Sequence, residues 1–147
     1  MKKPALVFSF IAAMSCVGQY ALADSSSDIQ KQCEENGLNY QVAVQFVKNV
    51  QVALKNNDIA AFAKMGRYPV TINQGDDIHY TVKSVKDMMI RYPVIMTAMM
   101  QTNIEAQKPN DIICNDQGAA TAKGEIWFNP QVKSAQFFVI NTMQAGS

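Results

Sequence analysis

The chain has 147 residues, and its 13 lysines and arginines nearly balance its 12 aspartates and glutamates, for a formal net charge of +1. A chain with this balance has neither the basic field that attracts nucleic acid or anionic lipid nor an acidic tail. Composition therefore excludes an electrostatically driven nucleic-acid-binding protein and leaves a globular domain of ordinary size.

The N-terminal residues 1–23 have the composition of a secretory signal peptide. Lys2 and Lys3 precede the apolar run "ALVFSFIAAMSCVG", and "ALA" stands directly before Asp24. The run is short for a membrane span, and the small-x-small pattern is what signal peptidase cleaves. The sequence predicts cleavage into the periplasm, and residues 24–147 then form one mature domain without a membrane span. Loss of the two lysines leaves 11 basic against 12 acidic residues, a net charge of −1.

The cysteines suit an exported protein. Cys16 lies in the signal segment after "AMS", and a lipoprotein attached through Cys16 is the alternative, although Met14 fits a lipidation box poorly. Cys33 and Cys114 remain, an even number in an oxidising compartment. The sequence therefore predicts a disulfide between Cys33 and Cys114.

Helices are predicted in the first half of the mature chain. Residues 24–38 begin polar and serine-rich and are interpreted as a loose lead-in. From Asn39 onward apolar residues recur every three or four positions, which predicts a long amphipathic helix. Its apolar face consists of Ala43, Phe46, Val47, Val50 and Leu54. Asp58 is predicted to cap a short second helix, "IAAFAKM", that Gly66 ends.

A hairpin and a third helix follow. "RYPVTIN" and "IHYTVK" alternate apolar and polar residues around the turn "QGDD", which predicts a β-hairpin. Ser84 and Asp87 have the spacing of a capping box at the start of "VKDMMIRYPVIMTAMMQ". Pro93 is expected to kink or split that helix near Arg91.

The last third of the chain is predicted to be strand. "DIICN" and the turn "DQG" precede a long strand from Ala119 to Phe128, in which Gly124 indicates a bulge or sharp bend. The turn "NPQVKS" then leads to a final strand, "AQFFVINTM".

This order of elements resembles the cystatin-like α+β cone of the NTF2-like superfamily. "YPVTIN" after a short helix, and "GEIWFN" before a final apolar strand, are similar to segments of exported bacterial members, over roughly residues 39–143. The resemblance implies a curved antiparallel sheet wrapped around a long N-terminal helix with two shorter helical segments. It leaves the activity open, because this fold carries isomerases, dehydratases, transport factors and binding modules.

Enzymes of the superfamily typically place an Asp–His or Asp–Tyr pair deep in the cone. The only histidine here, His79, lies between Ile78 and Tyr80, so alternation turns its side chain away from their face and toward solvent. No CxxC, HExxH, phosphate loop or nucleophile elbow occurs in the chain. The sequence therefore predicts a protein without catalytic residues, metal or cofactor.

"GEIWFN" supplies the candidate binding site. Alternation places Ile126 and Phe128 on one face, with Lys123, Glu125 and Trp127 on the other. The final strand is apolar on both sides, with Phe137 and Val139 predicted on one and Phe138 and Ile140 on the other. A second apolar face with a tryptophan is typical of an interaction surface. The predicted partner face is Lys123, Glu125, Trp127, Phe138 and Ile140; alternatively, Trp127 lines the cone and Glu125 is solvated at its rim.

The functional hypothesis is a non-catalytic periplasmic protein that binds another protein or a second copy of itself. An inhibitor or immunity protein that neutralises a cell-wall-targeting toxin or enzyme fits the compartment and size. An isomerase- or hydrolase-type enzyme using the cone pocket is one alternative. A ligand or copper carrier is another, since thioethers bind Cu(I) and the chain has a methionine cluster. That cluster consists of Met88, Met89, Met96, Met99 and Met100.

Overall fold

Helices and strands follow one another as expected for an α+β protein in the computed structural model, which describes residues 25–142. The signal peptide, its cleavage site, Cys16 and Met143 lie outside these described residues. The helices are α1 (Ser25–Glu35), α2 (Tyr40–Lys55), α3 (Ile59–Lys64), α4 (Val85–Ile95) and α5 (Ala98–Ala106). The strands are β1 (Gly66–Gln74), β2 (Ile78–Val82), β3 (Ile112–Asn115), β4 (Gly118–Thr121), β5 (Ile126–Pro130) and β6 (Ala135–Thr142).

The six strands form one open sheet in the order β2-β1-β6-β5-β4-β3. Every neighbouring pair is antiparallel except β1 and β6, which are parallel. The sheet is therefore mixed, and the expectation of an entirely antiparallel sheet is wrong. Parallel neighbours need a long crossover, which the segment from β2 to β5 supplies.

The lead-in is helical, contrary to the interpretation of residues 24–38 as loose. In α1, Ile29 packs against the core and Cys33 is fully buried. The sulfurs of Cys33 and Cys114 lie 2.02 Å apart, which confirms the predicted pairing and attaches α1 to β3. Few apolar residues mark this helix in sequence, because only one side of it contacts the protein.

The predicted starts of α2 and α3 are confirmed. The Asn39 side chain accepts the Val42 N–H at 3.0 Å, and the Asp58 side chain accepts the Ala61 N–H at 3.0 Å. Gly66, however, is the first residue of β1 and not a helix cap. It lies under the Phe137 ring, where an added Cβ would stand 2.7 Å from Phe137 Cε2. Close packing, rather than a helix end, requires this glycine.

The third predicted helix is divided into α4 and α5. Ser84 caps α4 as expected, but the helix passes through Pro93 and ends at Ile95, beyond the predicted kink near Arg91. Pro93 is exposed in the last turn of α4, and the helix ends two residues after it, because proline has no N–H for the carbonyl four residues earlier. Thr97 then caps α5.

The predicted long strand is two strands joined by a tight turn. Gly124 has a φ of 74°, and its N–H donates to the Thr121 carbonyl at 2.7 Å. Ala120 consequently pairs with Trp127 across a hairpin. The bend at Gly124 is confirmed, whereas the continuous strand is wrong because the left-handed glycine reverses the chain.

A β-bulge changes the faces of β6. Trp127 pairs with Val139 but Phe128 pairs with Phe137, so Phe138 is an extra residue on β6. Phe137 and Ile140 are both fully buried in the core. Simple alternation placed them on opposite faces, and the one-residue shift at the bulge brings them to the same one.

Aromatic side chains fill the space between the helices and the inner face of the sheet. The ring centroids of Phe46 and Phe128 are 4.4 Å apart, and those of Phe62 and Phe137 are 5.0 Å apart. These contacts join α2 and α3 to the centre of the sheet. Within residues 25–142, none of the helices is both long and apolar enough to span a membrane.

Candidate functional site

The outer face of the sheet, opposite the helices, carries a row of paired residues that includes one residue from each strand. In spatial order the row is Ile113, Ala120, Trp127, Val139, Thr71 and Thr81. Their inner-face neighbours Ile126, Ile140 and Ile72 are fully buried. Trp127, by contrast, is only partly buried. The outer face therefore presents an aromatic side chain beside solvent.

Phe138 extends this apolar surface because the bulge turns it outward. Its ring lies over Gly118, where an added Cβ would stand 3.6 Å from Phe138 Cε1. The guanidinium carbon of Arg67 is 5.5 Å from the ring centroid. Such a distance is within the range of a cation–π contact.

Trp127 lies over the turn between β4 and β5. Its indole nitrogen is 3.8 Å from where a Cβ on Gly124 would stand. Lys123, in the same turn, is exposed. We define the outer patch as Arg67, Lys123, Trp127, Phe138 and Val139; neither of its cations forms a salt bridge within residues 25–142.

Glu125 does not belong to this surface. Its side chain is only 2% exposed, so it is neither part of a partner face nor solvated at a rim. The carboxylate accepts hydrogen bonds from Gln107 Nε2 at 2.7 Å, Thr121 Oγ1 at 2.6 Å and the Lys123 N–H at 3.3 Å. Those donors replace the water that a buried carboxylate loses.

Gln107, which sequence reasoning missed, joins the β4–β5 turn to the helices. Its Oε1 accepts the Ala122 N–H at 2.9 Å while its Nε2 donates to Glu125. Its carbonyl accepts a hydrogen bond from Gln51 Nε2 on α2 at 2.7 Å. Glutamines at helix ends are common in sequence, so only the folded chain identifies this connection.

The predicted partner face is thus divided by the fold. Lys123, Trp127 and Phe138 reach the outer face, whereas Ile140 is fully buried on the inner face. The absence of Ile140 and of Glu125 from the outer face has a separate structural cause in each case. The bulge at Phe138 turns Ile140 inward, and the turn at Gly124 directs Glu125 toward Gln107.

His79 is exposed on β2, as alternation predicts, and begins a chain of hydrogen bonds along the outer face. Asn141 Nδ2 donates to the Gly124 carbonyl at 2.7 Å, and Asn73 Nδ2 donates to Asn141 Oδ1 at 2.7 Å. Asn73 Oδ1 therefore accepts from His79 Nδ1 at 2.8 Å. Because a carbonyl only accepts, the chain has one direction, and it positions the turn beside Trp127.

Several side chains have displaced pKa values, and all of these values move away from neutrality. Burial raises the pKa of Tyr68 to about 12, and its hydroxyl donates to the Ala63 carbonyl. Burial also raises the pKa of Tyr80 and of Tyr92. The hydrogen bond from Arg91 lowers the pKa of Asp87 below its ordinary value.

The methionines separate into core and surface residues. Met88, Met96 and Met100 are buried in the apolar core, while Met89 and Met99 are 41% and 39% exposed. Among residues 25–142, no three His, Cys, Asp or Glu side chains converge on a potential metal position.

Comparison of the chain with protein-family models, with curated proteins and with solved structures finds no match.

Proposed function

We propose that this protein is a non-catalytic recognition module of the periplasm, on an NTF2-like cone, that inhibits a cell-wall-targeting enzyme or toxin. The observation that carries the proposal is the outer patch. Trp127 and Phe138 remain partly exposed on a sheet face opposite the helices, although the phenylalanines of the core, Phe62, Phe128 and Phe137, are fully buried. Partly exposed aromatics beside arginine are typical of interaction hot spots.

The interior supports recognition over catalysis. Fully buried phenylalanines, Phe62, Phe128 and Phe137, occupy the space between the helices and the sheet. In an NTF2-like enzyme this space would hold the substrate. With it filled, the surface of the domain is where recognition would take place.

Charge indicates the chemistry of the partner. Arg67 lies against Phe138, near one end of the patch, and Lys123 lies in the turn beside Trp127. Since neither cation has a salt bridge within the described chain, a partner with carboxylates around an apolar centre would complement both. Such complementarity would act mainly on the association rate.

The test uses the mature chain, residues 24–147, against purified lysozymes, peptidoglycan amidases and peptidoglycan endopeptidases. We expect it to inhibit hydrolysis by at least one of them, and Trp127→Ala to weaken binding by roughly 30-fold, the equivalent of about 2 kcal/mol at a hot spot. Val132→Ala is the matched control, because Val132 is 78% exposed in the β5–β6 turn and lies outside the patch.

Thermal melting separates binding from folding. A partly exposed Trp127 should cost less stability on truncation than the roughly 3–5 kcal/mol of a core tryptophan. Suppose instead that Trp127→Ala loses that much stability and still inhibits like the parent per folded molecule. Trp127 then supports folding and does not take part in recognition. Absence of inhibition across the whole panel would refute the inhibitor role itself.

A further inference from the structure

Strand β2 is an edge of the sheet without the usual protection against pairing. It has β1 as its one neighbour, and alternate residues of an edge strand direct their N–H and C=O groups outward. Its register with β1 is regular from Val82 to Ile78, without a bulge, and it contains no proline or lysine. Ile78 is 49% exposed at its start. A regular edge strand with an exposed isoleucine at its start is suited to accept another strand.

The residues of β2 and its flanks complement themselves. In an antiparallel pair of β2 strands centred on Tyr80, Ile78 lies opposite the partner's Val82. Asp77 then lies opposite the partner's Lys83, and two-fold symmetry repeats each pair. Opposite charges across neighbouring strands stabilise pairing, and like charges weaken it. This register therefore joins two ion pairs and places each exposed Ile78 beside a Val82 that is already buried within its own copy.

Both charges are available for such pairing. The Asp87 carboxylate next to Lys83 is bound by Arg91 at 2.8 Å and by the Lys83 backbone N–H at 3.2 Å. Neither Asp77 nor the Lys83 ammonium forms a salt bridge within residues 25–142. A second copy would bring an ammonium to Asp77 and a second carboxylate, besides that of Asp87, to Lys83.

Helix α4 adds apolar surface beside the same edge. The Arg91 guanidinium lies 5.5 Å from the Tyr80 ring centroid, so α4 stands over β2. Val94 follows Arg91 by three residues, on the same side of the helix, and is 63% exposed. Ile90, next to Arg91 in sequence, is 69% exposed. A two-fold pair of β2 strands would bring the two copies of this helix toward each other and cover part of this surface.

We infer that a second copy of this chain pairs with β2, antiparallel about Tyr80, and extends the sheet across a two-fold axis. The inference is independent of the outer patch, which lies on the outer sheet face and not at this edge. The partner is a second copy of the chain, because Asp77 of one copy faces Lys83 of the other across the two-fold axis.

Charge reversal with mixing tests the register. In sedimentation velocity at low salt, we expect the mature chain to dimerise, and Asp77→Lys or Lys83→Asp alone to weaken dimerisation roughly tenfold or more. An equimolar mixture of the two variants should recover the dimer, because every facing pair is then of opposite charge. The double variant, in which each facing pair is again a lysine with an aspartate, should recover it also; recovery by the mixture shows that the single variants fold. Asp116→Lys and Lys133→Asp, both at exposed turn positions, are the matched controls.

Three results would overturn the inference. One is a parent that stays monomeric up to about 1 mM, the millimolar limit of weak association. Another is a dimer that both single reversals leave intact. The third is a dimer that only Trp127→Ala dissociates, which would place the self-association on the outer patch.

Discussion

Glu125 is the one charged residue buried within residues 25–142, and it illustrates how single residues define the site. Its donors are neutral: an amide, a hydroxyl and a backbone N–H. Thr121 Oγ1 also accepts the Ile126 N–H at 3.1 Å. The carboxylate thus organises the turn that presents Lys123 and Trp127, and its own role is to position them.

Glu125→Ala should therefore destabilise folding by about 2–3 kcal/mol, because buried donors on Gln107 and Thr121 lose their acceptor. Urea unfolding measures the change, which should vary little with ionic strength since no surface charge is involved. Glu125→Gln is the control, because it keeps an acceptor for Gln107 and should cost less. If the loss of stability in Glu125→Ala disappeared at high salt, the carboxylate would instead be exposed to solvent.

At the scale of elements, capping connects α4 to the hairpin edge. Ser84 Oγ accepts the Asp87 N–H at 3.1 Å, and Asp87 in turn accepts the Lys83 N–H and the Arg91 guanidinium. A carboxylate in the first turn of a helix also interacts favourably with the helix dipole. The hydrogen bond from Arg91, followed by that from the Lys83 backbone, lowers the pKa of Asp87 from its ordinary value of 3.8.

Asp87→Asn should lower stability at neutral pH and make it less sensitive to acid. Because the folded pKa of Asp87 lies below the unfolded value, its contribution is present above pH 3.8 and disappears as pH falls through the folded pKa. The melting temperatures of parent and variant should therefore converge in acid. Asp116→Asn, in an exposed turn, is the control and should track the parent. A gap between parent and Asp87→Asn that stays constant down to the lowest pH would contradict the prediction.

For the whole molecule, the disulfide joins α1 to the strand at the far edge of the sheet. Cys33 and Cys114 are separated by 81 residues, so the bond encloses most of the described chain. Restriction of so long a loop in the unfolded chain limits the stabilisation to about 4.5 kcal/mol by the chain-entropy estimate. Cys33 and Cys114 also belong to one continuous cluster of buried residues. Noncovalent packing therefore holds α1 and β3 together as well.

Reduction, or replacement of both cysteines by alanine, should lower the free energy of unfolding by roughly 2–4 kcal/mol and leave the sheet folded. Urea titrations with and without dithiothreitol measure the difference. In the double alanine variant the reductant should have no effect, which serves as the control. Two alkylatable thiols in the protein isolated from the periplasm, detected by mass spectrometry, would show that the bond does not form there.

Local chemistry determined much of this structure. Asn39, Asp58 and Ser84 cap helices as the sequence predicts, since a cap needs one side chain and a nearby N–H. "QGDD" makes the predicted hairpin, and Gly124 makes a bend. Two remaining cysteines predicted one pair. Caps, turns and bends depend on a few neighbouring residues, and the cysteine pair followed from the number of cysteines alone.

Tertiary packing decided what the functional face contains. The bulge at Phe138 exists because two strands distant in sequence meet with unequal residue counts, and it exchanged the expected faces of Val139 and Ile140. Glu125 is buried because Gln107, from another element, reaches it. Alternation within one strand carries no information about such partners, so the sequence by itself predicted an outer face with Trp127 but not which neighbours share it.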